Sequence, residues 1–253
     1  MKFFKLILNT IPRPILIKVS YWVSPIIALF LKGNTFTDPI DGKSFRKFLP
    51  YGYETQRANA LAPGSLSLER HRLLWLYLQN ETSFFTTPAK MLHIAPEQCF
   101  LKRFKAQKNL DYITSDLYSP IADVKADICD LPFDNDSFDV VFCNHVLEHI
   151  EDDNKAMSEL FRVLKPGGFG IFQIPQDLDR EKTYEDFSIT YPEERTKHFG
   201  QYDHVRVYGK DYFKRLQAVG FTVNEVNYSK SLTKDLVKKY GLVDGEILPV
   251  CSK

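Results

Sequence analysis

From about residue 89 onward, short apolar runs alternate with stretches of helical period, the pattern of strands and helices taking turns along a parallel sheet. Strands are predicted at "KMLHIA" (90–95), "LDYITS" (110–115), "VKADI" (124–128), "FDVVFCN" (138–144), "GFGIFQIP" (168–175), "FTVNEVNY" (221–228) and "EILPVCS" (246–252). A helix, "NKAMSELFRVL", falls between the fourth and fifth. Asp152, Asp153 and Asn154 offer its cap, Ala156, Met157, Leu160, Phe161 and Leu164 its buried face, and "KPGG" its stop. A further helix, "KDYFKRLQAVG", precedes the last two strands. The expected fold class is α/β, a seven-stranded, mostly parallel sheet with helices on both faces. Chemistry in such a sheet belongs at the carboxyl ends of the strands.

Ahead of this domain (89–253) lie two smaller regions. Residues 1–34 are apolar and basic, and "ILIKVSYWVSPIIALFL" (15–31) is short for a bilayer span and interrupted by Pro25. Three readings stay open for it: a helix packed on the main domain, a helix lying in a membrane interface, or a span. No small-residue cleavage site follows, which argues against a secretory signal. Residues 35–88 form an irregular module ending in a helix from about Ser67, with Leu68, Leu73, Leu74, Leu76 and Leu78 supplying its apolar side. Arg70, His71 and Arg72 on that helix either reach toward a ligand or stand on an exposed face, the second being the plainer expectation.

Composition narrows the function little. The 253 residues are 44% hydrophobic with a net charge of +1, so nothing in the balance points to nucleic acid. The first fifty positions are nonetheless basic: Lys2, Lys5, Arg13, Lys18, Lys32, Lys43, Arg46 and Lys47 face only Asp38 and Asp41. Cys99, Cys129, Cys143 and Cys251 are too far apart for a disulfide framework, which fits a cytoplasmic protein, peripheral to the membrane if the lead is interfacial.

The segment "ADICDLPFDNDSFDVVFCNHVLEHIEDDNKAMSELFRVLKPGGFGIFQIP" (126–175) resembles the centre of class I S-adenosylmethionine-dependent methyltransferases. The matching pieces are the aspartate before "LPF", the "SFDVV" strand, "HVLEH", and "LKPGG" leading into an apolar strand. The resemblance covers about 89–253 and implies a Rossmann-like sheet, S-adenosylmethionine as cofactor, and methyl transfer to a small-molecule or lipid-like acceptor. Asp116 ends the second strand about twenty residues after the first loop, where a carboxylate can accept from both ribose hydroxyls, with Leu117 beside it. The plainer reading is a turn aspartate. Asp127 is placed to accept from the adenine amine and Ile128 to pack on its ring; taken alone, that aspartate is more often a strand-end cap, and pairing with Asp116 gives the first reading its weight. Asn144 and His145 end the fourth strand and border the transferred methyl.

The first loop, "LHIAPE", has no glycine. The family's glycine positions fall on Ala95, Glu97 and Cys99, and His93 stands where an acidic residue is common. A pyrophosphate site would suffer from this, since it needs glycine amides near phosphate. S-adenosylmethionine presents an ammonium and a carboxylate instead. Ala95 is nearly as small as glycine and Pro96 suits a helix's first turn. Glu97 is expected to pair with the ammonium, the helix N-terminus facing the carboxylate; alternatively it is a first-turn acid favoured by the helix dipole.

On the acceptor side, "ERTKHFGQYDHVRVYGKDYF" (194–213) gathers His198, Gln201, Tyr202, Asp203, His204, Arg206 and Tyr208, either a substrate wall or a loop with structural hydrogen bonds. His145, His149 and His204 are candidate bases if the acceptor must lose a proton, each of them more plainly read as a packing or orienting histidine, and the Glu148-His149 pair could equally close the start of a loop. In the small module, "DPID" and "APGS" stand where a zinc ribbon has paired cysteines. Asp38, Asp41, Ala62 and Ser65 cannot make a thiolate tetrahedron, so no metal is expected. The competing reading of the chain is a binding or scaffold protein on a catalytically inactive methyltransferase fold. A nicotinamide oxidoreductase stands further off, lacking GxGxxG. The sequence leaves the oligomeric state open.

Overall fold

The computed structural model describes residues 13–52 and 56–253, with side chains from Val19 onward; Lys2, Lys5 and the side chains of Arg13 and Lys18 lie outside them. The chain divides into two compact units, one running to Tyr77 and regaining Ser229–Asp244, the other comprising Leu78–Tyr228 and Gly245–Lys253.

The second unit holds a seven-stranded sheet whose strands are β5 (Ala89–Ile94), β6 (Leu110–Asp116), β7 (Val124–Lys125), β8 (Phe138–Cys143), β9 (Leu164–Ile171), β12 (Thr222–Val226) and β13 (Leu248–Ser252). Their order is β12-β13-β9-β8-β5-β6-β7, while β10 (Tyr184–Glu185) and β11 (Arg206–Val207) form a separate antiparallel pair with α5 (Pro192–Phe199) between them in the chain. All neighbours pair in parallel except β13, which is antiparallel to both β9 and β12. Each predicted strand is present. The third is shorter than expected, so Asp127 stands beyond its end. The fifth begins at Leu164, with a register shift against β8, so "KPGG" lies inside the strand instead of stopping the helix.

β5 is buried from Met91 to Ile94 on both faces, as a central parallel strand must be. Leu92 and Ile94 join a core with Ala156, Met157, Leu160 and Val163 of α4 (Asp153–Val163) and Leu216 of α6 (Tyr212–Val219). On the opposite face His93 meets Phe104 of α3 (Gln98–Lys105) and Phe142 of β8. The crossovers from β5 to β6 and from β8 to β9 run in opposite directions along the sheet, and α3 and α4 lie on opposite faces of β5.

The first unit contains α1 (Arg13–Phe30), the antiparallel pairs β1 (Lys32–Thr37) with β2 (Ser44–Phe45) and β3 (Leu49–Tyr51) with β4 (Arg57–Leu61), then α2 (Glu69–Glu81) as far as Tyr77, and α7 (Lys234–Tyr240). Ala28 and Leu31 pack with Phe45, Phe48 and Ala62. Arg72 and His71 are buried, correcting the expectation of an exposed or ligand-reaching face. The Arg72 guanidinium donates to the carbonyls of Ala60, Ser67, Tyr240 and Gly241 and stacks 4.7 Å from Phe48. That one side chain explains why a segment near the C-terminus returns to the first unit, where the sequence suggested an unbroken domain from 89. Among the described residues no helix is long and apolar enough to cross a membrane.

Candidate functional site

The chain leaves β5 for β6 and β7 on one side and takes up β8 and β9 on the other, so the sheet's switch point lies between β5 and β8. Two non-glycine residues adopt left-handed backbone there: Ala95 (φ 48°), just past β5, and His145 (φ 54°), past β8. Such a conformation costs an L-residue about 1–2 kcal/mol. Strain of this kind gathers at functional sites, and here both tips of the crevice carry it. The Ala95 amide donates to the Ser115 carbonyl at 2.8 Å and the His145 amide to Gln173 at 2.7 Å, which hold the two bends.

Glu97 occupies the N-cap position of α3, yet its side chain caps nothing. Pro96 therefore precedes the cap and does not sit in the first turn as expected. The Glu97 carboxylate turns inward, paired with His93 Nε2 and accepting from Asn144 Nδ2 at 3.2 Å. His93 Nδ1 bonds the Tyr112 hydroxyl at 2.8 Å, and Asn144 Oδ1 accepts from the Gln173 amide at 3.2 Å. Burial, reinforced by the Glu97 charge, pushes the Tyr112 phenol far up, so it stays protonated. The polar string Tyr112–His93–Glu97–Asn144–Gln173 thus runs across four neighbouring strands, from within β6 to the carboxyl ends of β5, β8 and β9. A dipole-placed surface acid would not be tied in this way.

Asp116 ends β6 with Oδ1 accepting from the amides of Tyr118 (2.7 Å) and Ser119 (2.6 Å). It is a turn aspartate by this oxygen, and Oδ2 is left for another partner. Leu117 and Tyr118 follow it as exposed apolar side chains. Asp127 is exposed, with Oδ1 accepting from the Cys129 amide at 2.8 Å, while Ile128 is buried in the main core.

A second constellation lies after β8. The short turn Leu147–His149 presents Glu148, 1% exposed, with Oε1 3.4 Å from His145 Nδ1. Burial opposes its charge, but the His145 side chain and the nearby His149 outweigh it and hold the carboxyl below the usual range. His149 and His204 meet edge to face, ring centroids 4.8 Å apart. Burial pushes the His204 imidazole down. The three candidate bases are therefore neighbours around one acid, Glu148, which the sequence alone marks only as the partner of His149 at the start of a loop.

The polar stretch 194–213 divides. Arg206 and Tyr208 are fully buried and do not form a wall. Arg206 donates to the carbonyls of Leu147, Ile150 and Glu151 and pairs with Glu185 at 2.9 Å. The Tyr208 hydroxyl bonds Asp153 at 2.8 Å, and Arg215 bridges Asp153 and Glu185. This frame fixes the turn bearing Glu148 and His149. Sequence reasoning also passed over Tyr112 and Gln173. Gln173 sits just past β9 much as Asn144 sits past β8, and that parallel was readable.

Comparison with known proteins bears on the same region. Residues 84–172 match the family model described as "Methyltransferase domain". A demethylmenaquinone methyltransferase of Clavibacter sepedonicus is 53% identical over 45 residues, 18% of each chain. A ubiquinone/menaquinone biosynthesis C-methyltransferase of Idiomarina loihiensis is 47% identical over 69 residues, 26% of this chain and 28% of that one. The chain thus aligns with only about a fifth to a quarter of the length of these curated relatives. Among solved structures, a Burkholderia thailandensis 1,6-didemethyltoxoflavin-N1-methyltransferase with bound S-adenosylhomocysteine is 15% identical, covering 73% of this chain and 77% of that one at a TM-score of 0.47. The matched residues, 84–172, span β5 to β9 of the seven-stranded sheet, and over this stretch the chain is similar to a methyltransferase domain.

Proposed function

We propose that the chain binds S-adenosylmethionine at the β5–β8 switch point and transfers its methyl group to a lipid-like acceptor. The observation that carries this reading is Glu97, an acid drawn off its helix cap and set between the tips of β5 and β8 by His93 and Asn144. There it offers a negative charge to the cofactor's ammonium, the role the missing strand acid leaves open. Asp116 Oδ2 would take the ribose hydroxyls, Asp127 the adenine amine, and exposed Leu117 and Tyr118 supply apolar surface for the base. The sulfonium activates the methyl, so the protein's part is alignment of the acceptor and, for a hydroxyl or acidic carbon, acceptance of its proton. Support for a lipid-like acceptor comes from the partial relatives, which are named for quinone methylation. A melting-temperature shift with S-adenosylhomocysteine tests the reading. At a hundredfold excess over its dissociation constant the ligand stabilises by about 2.7 kcal/mol; Asp116→Ala should remove most of that shift, and no shift in the wild type would refute the proposal.

A membrane-facing role for the N-terminal helix belongs to the same reading. Trp22 (80% exposed), Ile26, Leu29 and Phe30 stand outward on α1 at helical spacing, opposite Ala28 and Leu31. An amphipathic helix of this form beside a basic segment suits an anionic lipid interface. The triple substitution Trp22→Ser, Ile26→Ser, Leu29→Ser should abolish co-flotation with anionic vesicles; unchanged flotation would rule this face out.

A further inference from the structure

The cluster after β8 has a composition that hydrogen bonding alone does not complete. One potential ligand atom each from Glu148, His149 and His204 lies within 4.8 Å of the other two. Glu148 Oε2 is buried and has no hydrogen-bond partner among the described residues. His149 Nδ1 is 3.2 Å from the Asp203 carbonyl, and His204 Nδ1 is 3.1 Å from the Phe199 carbonyl. A carbonyl only accepts, so each ring donates from Nδ1, which leaves Nε2 as the nitrogen able to give a lone pair to an ion when the ring is neutral. An imidazole oriented by a backbone carbonyl in this way is the usual outer arrangement of a metal-ligating histidine. The two parts of the site are also locked together. The Val205 amide donates to the Glu148 carbonyl at 2.9 Å, and Arg206 grips the carbonyls on either side of that turn.

We propose that Glu148, His149 and His204 form a binding site for a divalent transition metal. Two imidazoles and one carboxylate suit zinc or iron(II) better than magnesium or calcium, which prefer all-oxygen sites. Three protein ligands leave at least one coordination position open, the arrangement of catalytic zinc sites. His149 is partly exposed, with 28% of its side chain accessible, which gives the ion a way in. The occupant of the open position would be an oxygen of the acceptor, a hydroxyl or enol, whose deprotonation a bound cation favours. The absence of a cysteine pattern, the ground on which the sequence argued against metal, does not touch this set. Its members become neighbours only when 147–149 folds against 199–205.

The test uses the full chain, stripped with a chelator and titrated with zinc and with cobalt(II) in the absence of any cofactor. It therefore stands or falls separately from the methyltransferase reading. One equivalent of zinc should bind with a rise in melting temperature, and cobalt should give visible absorption of a nitrogen-ligated site. His204→Gln should weaken binding at least tenfold while leaving the circular dichroism spectrum unchanged, and Glu148→Gln should do the same if it folds. His198→Gln, outside the cluster, should bind as the wild type does. No saturable binding in the wild type, or wild-type affinity in His204→Gln, would overturn the proposal.

Discussion

Two buried acids, one in each unit, face opposite circumstances. Asp38 accepts from Ser65 Oγ through one oxygen and from the Ile40 amide at 3.0 Å through the other. Burial, with Asp41 adding to it, raises its pKa. Glu148 has histidines about it and one oxygen with no bond among the described residues, and its pKa is lowered. The first acid completes a folding unit: Asp38 and Ser65 bond directly, and a Cβ on Gly64 would lie 2.3 Å from Asp41 Oδ2, so the "DPID" and "APGS" turns meet where a ribbon's cysteines would stand. The second is held ionised and incompletely satisfied beside the sheet's working edge. A sealed acid is structural; an acid kept charged with an open oxygen is prepared for a partner.

The largest effect should come from dismantling the frame behind the second acid. Arg206→Ala leaves Glu185 and Asp153 short of a buried cation and frees the carbonyls of 147–151, a loss of about 3–5 kcal/mol by chemical denaturation. A loss under about 1 kcal/mol would mean that the turn holds itself.

Opposite pH slopes should separate the two acids. A raised folded pKa gives Asp38 a contribution that is whole below its ordinary value of 3.8 and lost as pH climbs through the raised value. Asp38→Asn, which keeps the acceptor and removes the charge, should therefore gain on the wild type as pH rises. The lowered pKa of Glu148 gives a contribution present above 4.5 and lost as pH falls through the folded value. Glu148→Gln should be the less stable protein at neutral pH, with the gap closing in acid. Denaturation midpoints across pH 3–8 read both slopes, and slopes of one sign would erase the comparison.

The smallest effect concerns the strained bend. Ala95→Gly relieves a left-handed alanine (φ 48°) but frees the unfolded chain, a net gain of about 0.5 kcal/mol in thermal unfolding. A loss of similar size would show that the bend is not strained.

The central strands were legible because short apolar runs such as "KMLHIA" and "FDVVFCN" suit strands buried on both faces of a parallel sheet, and Asn144 and His145 followed from the end of the second. The burial of Arg72 and Arg206 was not. Charge predicts exposure, and only the fold shows that each arginine collects carbonyls from segments far apart in the chain. The same limit hid Glu148. It lies between two histidines singled out from sequence, but its partner His204 arrives from another segment.

On this reading Glu97, displaced from its helix cap, stands in for the acidic residue that β5 lacks at His93. Calorimetric titration of the full chain with S-adenosylhomocysteine tests it most directly. One-to-one binding is expected, weakened about tenfold or more by Glu97→Gln through the loss of a charge-assisted hydrogen bond worth about 1.5–3 kcal/mol. Equal affinities in the two proteins would contradict it.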